Sequence, residues 1–176
     1  ASIGTLGVTG LKIKKNISNT TFDSIQINKI LKKLKEKKIE NVILEASSHG
    51  LEQNRLDGLE FDIGIFTNLT RDHLDYHKTY KNYLNSKLIL FKKLLKEKSY
   101  AIYDNELKIS SNLNKITKLN KIKKITLGNT KSNFPIIDHQ FLKDEQKITF
   151  RFDKKKYSFS TKLIGRAQIK NLLMAI

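Results

Sequence analysis

The sequence predicts an α/β domain: a mostly parallel sheet flanked by helices, with a small antiparallel β section near the C-terminus. Three observations carry this expectation. Short apolar runs alternate with amphipathic helical stretches up to residue 128, the pattern of parallel strands covered by helices. Beyond residue 134 the pattern becomes one of strands separated by turns, as in an antiparallel meander. The length, 176 residues with 39% hydrophobic content, is enough to bury one sound core.

The elements follow in order. Residues 1–10 are small, Gly-rich and partly β-branched, which predicts a short strand and a loop. Asp23 is suited to cap a helix reaching about residue 37, with Ile27, Ile30, Leu31 and Leu34 on one face. Asn41-Val42-Ile43-Leu44 is a compact apolar run after a helix and predicts a buried parallel strand ending at Glu45. A polar segment continues to about Gly58. Residues 61–66 predict a second strand, ending at Thr67-Asn68. A helix is expected over about 79–96, a strand over 100–103, a helix over 105–116 and a strand over 125–128. Residues 136–142, 147–152 and 157–163 predict the meander, with Asp153-Lys154-Lys155-Lys156 as a hairpin turn.

Composition excludes several classes. There is no Cys, so a disulfide scaffold and cysteine-bound zinc are ruled out, and a cytoplasmic setting is expected. The longest apolar runs are too short to span a bilayer, and no basic segment followed by an apolar one marks a signal peptide. The net charge is +17, from 34 Lys+Arg against 17 Asp+Glu. The lysines fall on the polar faces of amphipathic helices, without a basic strand carrying stacking aromatics. A nucleic-acid partner is therefore not expected; a basic, non-catalytic nucleic-acid module is the alternative class, and salt-dependent binding would reveal it. The first residue is Ala1 and the last fall within a helical pattern, so both ends are expected to continue in a longer polypeptide.

Chemistry concentrates at two strand ends. In open parallel sheets, ligands bind beyond the carboxyl ends of the strands. The run Glu45-Ala46-Ser47-Ser48-His49-Gly50 follows one strand, and Thr67-Asn68-Leu69-Thr70-Arg71-Asp72-His73 follows the next. Three of the four histidines lie between residues 49 and 77. Lys87 shares the apolar stripe of its helix with Tyr80, Tyr83, Leu84, Leu88, Phe91, Leu94 and Leu95. It is then either a desolvated amine that needs a partner or neutralisation, or a snorkelling side chain with a wet head. His73 and His77 have i, i+4 metal spacing but no third nitrogen or sulfur ligand. Ser47 or Ser48 with His49 lacks the nucleophile elbow of a hydrolase. The Gly-rich run from Gly4 to Gly10 lacks the Lys of a phosphate loop.

The run from Glu45 to Arg55, with Ser47-Ser48-His49 and Gln53, resembles the E-x-S-S-H-[GA]-L-x-Q-x-R signature of the MurE branch of the Mur ligases. Thr67-Asn68-Leu69-Thr70-Arg71-Asp72-His73-Leu74-Asp75-Tyr76-His77 resembles that branch's T-N-L-[ST]-x-D-H-L-D-[YF]-H. Tyr83 to Lys87 matches the Y-x-x-x-K that follows, and Asn19-Thr20-Thr21 matches an N-T-T before the first long helix. Order and spacing agree across all four. Other Mur ligases and folylpolyglutamate-type ligases share the chemistry but should lack the S-S-H-x-L-x-Q-x-R run.

The resemblance implies the ATP-binding central domain of an ATP-dependent amide-bond ligase of peptidoglycan synthesis. Its phosphate loop, N-terminal UDP-binding domain and C-terminal amino-acid-binding domain would lie outside these residues, so the chain alone should not turn over. The substrates implied are UDP-MurNAc-L-Ala-D-Glu and an amino acid, diaminopimelate or lysine, with ATP and Mg²⁺; the enzyme would be a cytoplasmic monomer. Asn19, Thr20, Thr21, Ser47, Gln53 and Arg55 would hold the UDP-linked substrate. Glu45 and His73 would hold Mg²⁺ together with Lys87 as its carbamate. Asn68, Gln168 and Asn171 would meet the nucleotide. Gly165-Arg166-Ala167-Gln168-Ile169-Lys170-Asn171 departs from the family's G-x-[FH]-N-x-x-N at Ala167 and Gln168, and Phe22 stands where Pro or Gly is common.

Overall fold

The computed structural model describes residues 1–11 and 19–176. They form two compact units: residues 1–60 with 71–94, and residues 61–70 with 95–176.

In the first unit, β1 (Ser2–Gly4) and β2 (Gly7–Val8) form a small antiparallel hairpin, with Ile3 opposite Val8. The expected loop is thus itself paired. β3 (Ile43–Leu44) lies parallel to β1, giving the order β2-β1-β3. Only two of the four residues in the expected strand pair, and Ile43 is 74% exposed. The run is apolar but sits at a sheet edge with one bonded neighbour, so it is not the buried strand its composition suggests.

α1 (Ser24–Glu36) starts where expected: the Asp23 carboxylate accepts the Gln26 N–H at 2.9 Å. Ile27, Ile30 and Leu34 are buried, each worth about 1.5–3 kcal/mol of apolar transfer. Lys32, Lys33 and Lys35 stay exposed. α2 (Ser48–Glu52), α3 (Leu74–His77) and α4 (Tyr80–Ile89) complete the unit. The helix expected to reach residue 96 ends earlier. It passes into a π-helical turn, Leu90–Leu94, and Leu95 already belongs to a strand.

The second unit is a six-stranded sheet in the order β4 (Phe61–Phe66), β5 (Leu95–Asp104), β6 (Lys123–Gly128), β7 (Phe134–Phe141), β8 (Gln146–Phe152) and β9 (Lys155–Thr161). Its first four strands are parallel and its last three form the expected antiparallel meander. Strand β5 starts five residues before the expected 100, because Leu95 pairs with Phe61. α5 (Ser110–Leu119) begins later than expected: the Asp104 carboxylate accepts the Glu106 N–H at 2.8 Å and turns the chain first. The hairpin turn is Asp153-Lys154 alone, at φ 46° and 65°, the two left-handed residues a tight two-residue hairpin requires.

α6 (Arg166–Ala175) packs Ile169 and Leu173 against Ile148 and Phe150, with Phe134, Ile136 and Phe159 around them. Gly165 precedes it at φ 107°, a conformation that a side chain would strain. Gln146, fully buried, ties the meander to this entry. Its Oε1 accepts from His139 Nε2 at 2.7 Å, and its Nε2 donates to the carbonyls of Leu163 and Gly165.

Gln146→Ala strands those partners and should cost about 2–4 kcal/mol. Gln140→Ala, on an exposed neighbour, should cost under about 0.5 kcal/mol. Chemical denaturation distinguishes them, and equal losses would contradict the role given to Gln146. Lys154→Gly relieves a left-handed side chain and should raise stability by roughly 0.5–1 kcal/mol in the same assay.

Candidate active site

Glu45 leaves β3 and is held at once: its N–H donates to the Ile3 carbonyl at 2.8 Å. Its Oε2 accepts the Thr5 N–H and the Thr5 hydroxyl, each at 2.8 Å. The hairpin turn that the Gly-rich run forms therefore grips a carboxylate. Gly4 permits this approach, since a Cβ there would lie 2.6 Å from Glu45 Oε2. The Thr20 hydroxyl is 3.3 Å from Thr5 Oγ1.

Thr21 is the junction of the site and is 1% exposed. Its hydroxyl donates to the Glu45 carbonyl at 2.8 Å, accepts the Ser47 N–H at 2.9 Å and lies 3.0 Å from Ser47 Oγ. Ser47 caps α2 by accepting the Gly50 N–H at 3.1 Å. Arg55 Nη1 donates to the Thr21 carbonyl at 2.7 Å, while its Nε and Nη2 grip Gln53 Oε1 at 2.9 and 2.5 Å. Gln53 Nε2 then donates to the Tyr76 hydroxyl at 3.0 Å.

From Tyr76 the contacts run through rings. Tyr76 and His49 lie 4.1 Å apart, and His49 meets His73 edge-on at 5.1 Å. His73 meets Tyr83 at 5.8 Å, and the Lys87 ammonium lies 5.2 Å from the Tyr83 ring centre. His73 takes a left-handed backbone, φ 55°, and its N–H donates to Asp72 Oδ1 at 2.8 Å. With Lys78 at φ 64° it brackets the single turn of α3, at a cost of about 1 kcal/mol each.

The electrostatics of this end favour uncharged bases. Burial lowers the Lys87 amine below its ordinary value, with Asp72 opposing. Burial also lowers His49, helped by His73 and His77 and opposed by Asp75. Burial raises the Tyr83 phenol, as does Asp72. Lys87 is half-buried, between the two readings its periodicity left open.

Nine sequence-predicted residues thus fall in the first unit: Asn19, Thr20, Thr21, Glu45, Ser47, Gln53, Arg55, His73 and Lys87. All except Asn19, which is exposed, belong to the run of contacts just traced. Asn68, exposed after β4, and Gln168 and Asn171 on α6 belong to the second unit. Sequence reasoning missed Thr5, whose signal was only its place in a Gly-rich turn. It weighed His73 and His77 as an i, i+4 metal pair and set that reading aside for want of a third ligand. In the structure the His77 ring is buried, with Nε2 2.9 Å from Ser48 Oγ and Nδ1 3.0 Å from Glu52 Oε2.

The described residues contain no cluster of three His, Asp or Glu side chains fit for a metal ion. One carboxylate and one imidazole are too few for a hard cation, which favours oxygen ligands. A carbamate on Lys87 would add two oxygens, and the desolvated amine is suited to form one.

Thr21→Val keeps the volume but removes the shared hydroxyl, and should cost about 1–3 kcal/mol, whereas Thr21→Ser should cost less. Unfolding curves for the pair check this, and a Val variant as stable as wild type would refute it. The lowered Lys87 pKa has a further consequence. Its cationic form burdens the fold below the lowered pKa, and the burden lifts as pH rises through the ordinary value. In competitive amine acylation, Lys87 should therefore reach half-maximal reactivity at lower pH than the exposed lysines of α1; co-titration with them would refute the shift.

Comparison with known proteins agrees with this layout. Residues 1–176 match the family described as Mur ligase middle domain. The UDP-N-acetylmuramoyl-L-alanyl-D-glutamate--2,6-diaminopimelate ligase of Rickettsia conorii (strain ATCC VR-613 / Malish 7) is 38% identical over 180 residues, which cover 100% of this chain and 37% of that protein. The protein of the same name from Wigglesworthia glossinidia brevipalpis is 37% identical over 188 residues, 98% of this chain and 35% of its own length. The chain therefore spans little more than a third of these relatives. A solved structure of a ligase of that name superimposes with TM-score 0.80 at 27% identity, covering 94% of this chain and 35% of that one. MurF from Acinetobacter baumannii, at 11% identity and TM-score 0.65 over 76% of this chain and 29% of its own, shares the fold alone. Throughout its length, the chain belongs to the Mur ligase middle domain family.

Proposed function

We propose that this chain is the middle domain of an ATP-dependent ligase that adds diaminopimelate to UDP-MurNAc-L-Ala-D-Glu, making the third residue of the peptidoglycan stem peptide. The observation that carries the reading is the unbroken run of contacts from Glu45 through Thr21, Arg55, Gln53, Tyr76, His49, His73 and Tyr83 to Lys87. Acidic, imidazole and amine groups share one compact unit with the side chains suited to hold substrate. The relatives described above are 2,6-diaminopimelate ligases, which favours diaminopimelate over lysine.

In this reading the γ-carboxylate of D-glutamate takes the γ-phosphoryl group of ATP, and ADP leaves. The diaminopimelate amine then attacks the acyl carbon, phosphate departs and the amine gives up a proton. Glu45, His73 and Lys87 as a carbamate would hold Mg²⁺, which would supply charge neutralisation for phosphoryl transfer. Thr5 orients the Glu45 carboxylate. Asn19, Thr20, Thr21, Ser47, Gln53 and Arg55 hold the UDP-linked substrate. Arg55 suits an anion because its planar fork can exchange Gln53 Oε1 for a carboxylate or phosphate. Asn68, Gln168 and Asn171 meet the nucleotide, with Gln168 offering its amide from the first turn of α6. Catalysis rests on positioning and electrostatics. No helix among the described residues is long and apolar enough to cross a membrane. The reading is of a cytoplasmic, monomeric enzyme without a nucleic-acid partner; the lysines of α1 lie on its exposed face.

The test is ligation by the full polypeptide. ADP release should require UDP-MurNAc-L-Ala-D-Glu and diaminopimelate together, and Lys87→Ala should lower kcat by about a hundredfold or more. An enzyme that turns over equally well with Lys87→Ala would sink the role of the amine. An enzyme without turnover on these substrates would sink the reading.

A further inference from the structure

We infer that His77 is a positioning residue that sets the spacing between the substrate-holding side chains around α2 and the amine of Lys87. This rests on the ligase reading above. The ring is fully buried and touches three elements at once. Its Nε2 is 2.9 Å from Ser48 Oγ at the start of α2, and its Nδ1 is 3.0 Å from Glu52 Oε2 at the end of that helix. Ser86 Oγ, on α4, is 3.4 Å from the same Nδ1.

Each of these partners is the chain neighbour of a residue assigned to the site. Ser48 follows Ser47, Glu52 precedes Gln53 and Ser86 precedes Lys87. His77 itself closes the single turn that begins beside His73. One ring therefore fixes α2 at both ends against α4, and the left-handed residues His73 and Lys78 hold that ring's helix in place. The backbone adds a further tie, since Asn82 Nδ2 donates to the His77 carbonyl at 3.1 Å. Tyr83, whose ring lies beside Lys87, packs on the His77 ring at 5.2 Å.

The contacts also fix which nitrogen carries hydrogen. Glu52 offers only acceptor oxygens, so Nδ1 must donate to it. Loss of the ring then shifts α2 against α4. A displacement of an ångström in a positioned site costs about a hundredfold in rate.

The test uses the full polypeptide. Long-range proton–nitrogen NMR of wild type should show a protonated Nδ1 on His77; a bare Nδ1 would overturn the clamp whether or not the protein is a ligase. His77→Phe, which keeps ring volume but neither nitrogen, should lower kcat about ten- to a hundredfold while the KM for ATP stays put. His77→Asn, which restores a donor near Nδ1, should recover part of that loss. Glu52→Gln, at a half-exposed position, provides a variant that does not disturb the core and should lower kcat with little change in melting temperature. If His77→Phe or Glu52→Gln keeps wild-type kcat, or if any loss follows melting temperature alone, the positioning role is wrong. If wild type does not ligate, the ligase reading fails instead, and the NMR result still decides the clamp.

Discussion

A single buried hydroxyl underlies the arrangement of the first unit. Thr21 binds the backbone of Glu45 and of Ser47 through its side chain and offers its own carbonyl to Arg55. Residues 45–55, more than twenty positions further along the chain, are gathered on this one residue. A buried polar group is stabilising only if its partners are all in place, so this junction works as a unit or not at all. Glu45 inherits its position from it, and so do Ser47, the cap of α2, and Gln53 through Arg55.

The other half of the unit is organised by rings. Tyr76, His49, His73, His77 and Tyr83 form a continuous run of ring contacts that ends beside Lys87. Burial of Lys87 favours a neutral amine over an ammonium, the form a carbamate would need. Burial likewise holds His49 towards its neutral form. In a chain of net charge +17, this corner is one where cations are disfavoured, and the solvated lysines of α1 lie on exposed faces.

In the second unit, a buried charge is paired rather than suppressed. Asp104, 2% exposed at the end of β5, meets Lys170 of α6, which also reaches Glu106 at 3.0 Å. Hydrogen bonds to these two carboxylates outweigh burial and raise the Lys170 amine above its ordinary value. A pair of this kind is costly to break from one side. Together with Gln146 it fixes the helix that carries Gln168 and Asn171.

Periodicity and local chemistry determined much of the fold. The Asp23 cap, the buried face of α1, β4 and the three-strand meander are local patterns, and each is found where the sequence puts it. The motif residues at two strand ends were legible for the same reason: polar groups clustered after apolar runs need no tertiary knowledge to be noticed. Tertiary structure decided what depends on partners. Ile43 is apolar yet exposed because its strand has one bonded neighbour. Leu95 leaves the helical period because strand pairing with Phe61 outweighs propensity. Thr5 and His77 acquire their roles only through residues 40 and 29 positions away along the chain. A sequence records what each side chain can donate or accept, and only the folded chain brings it a partner.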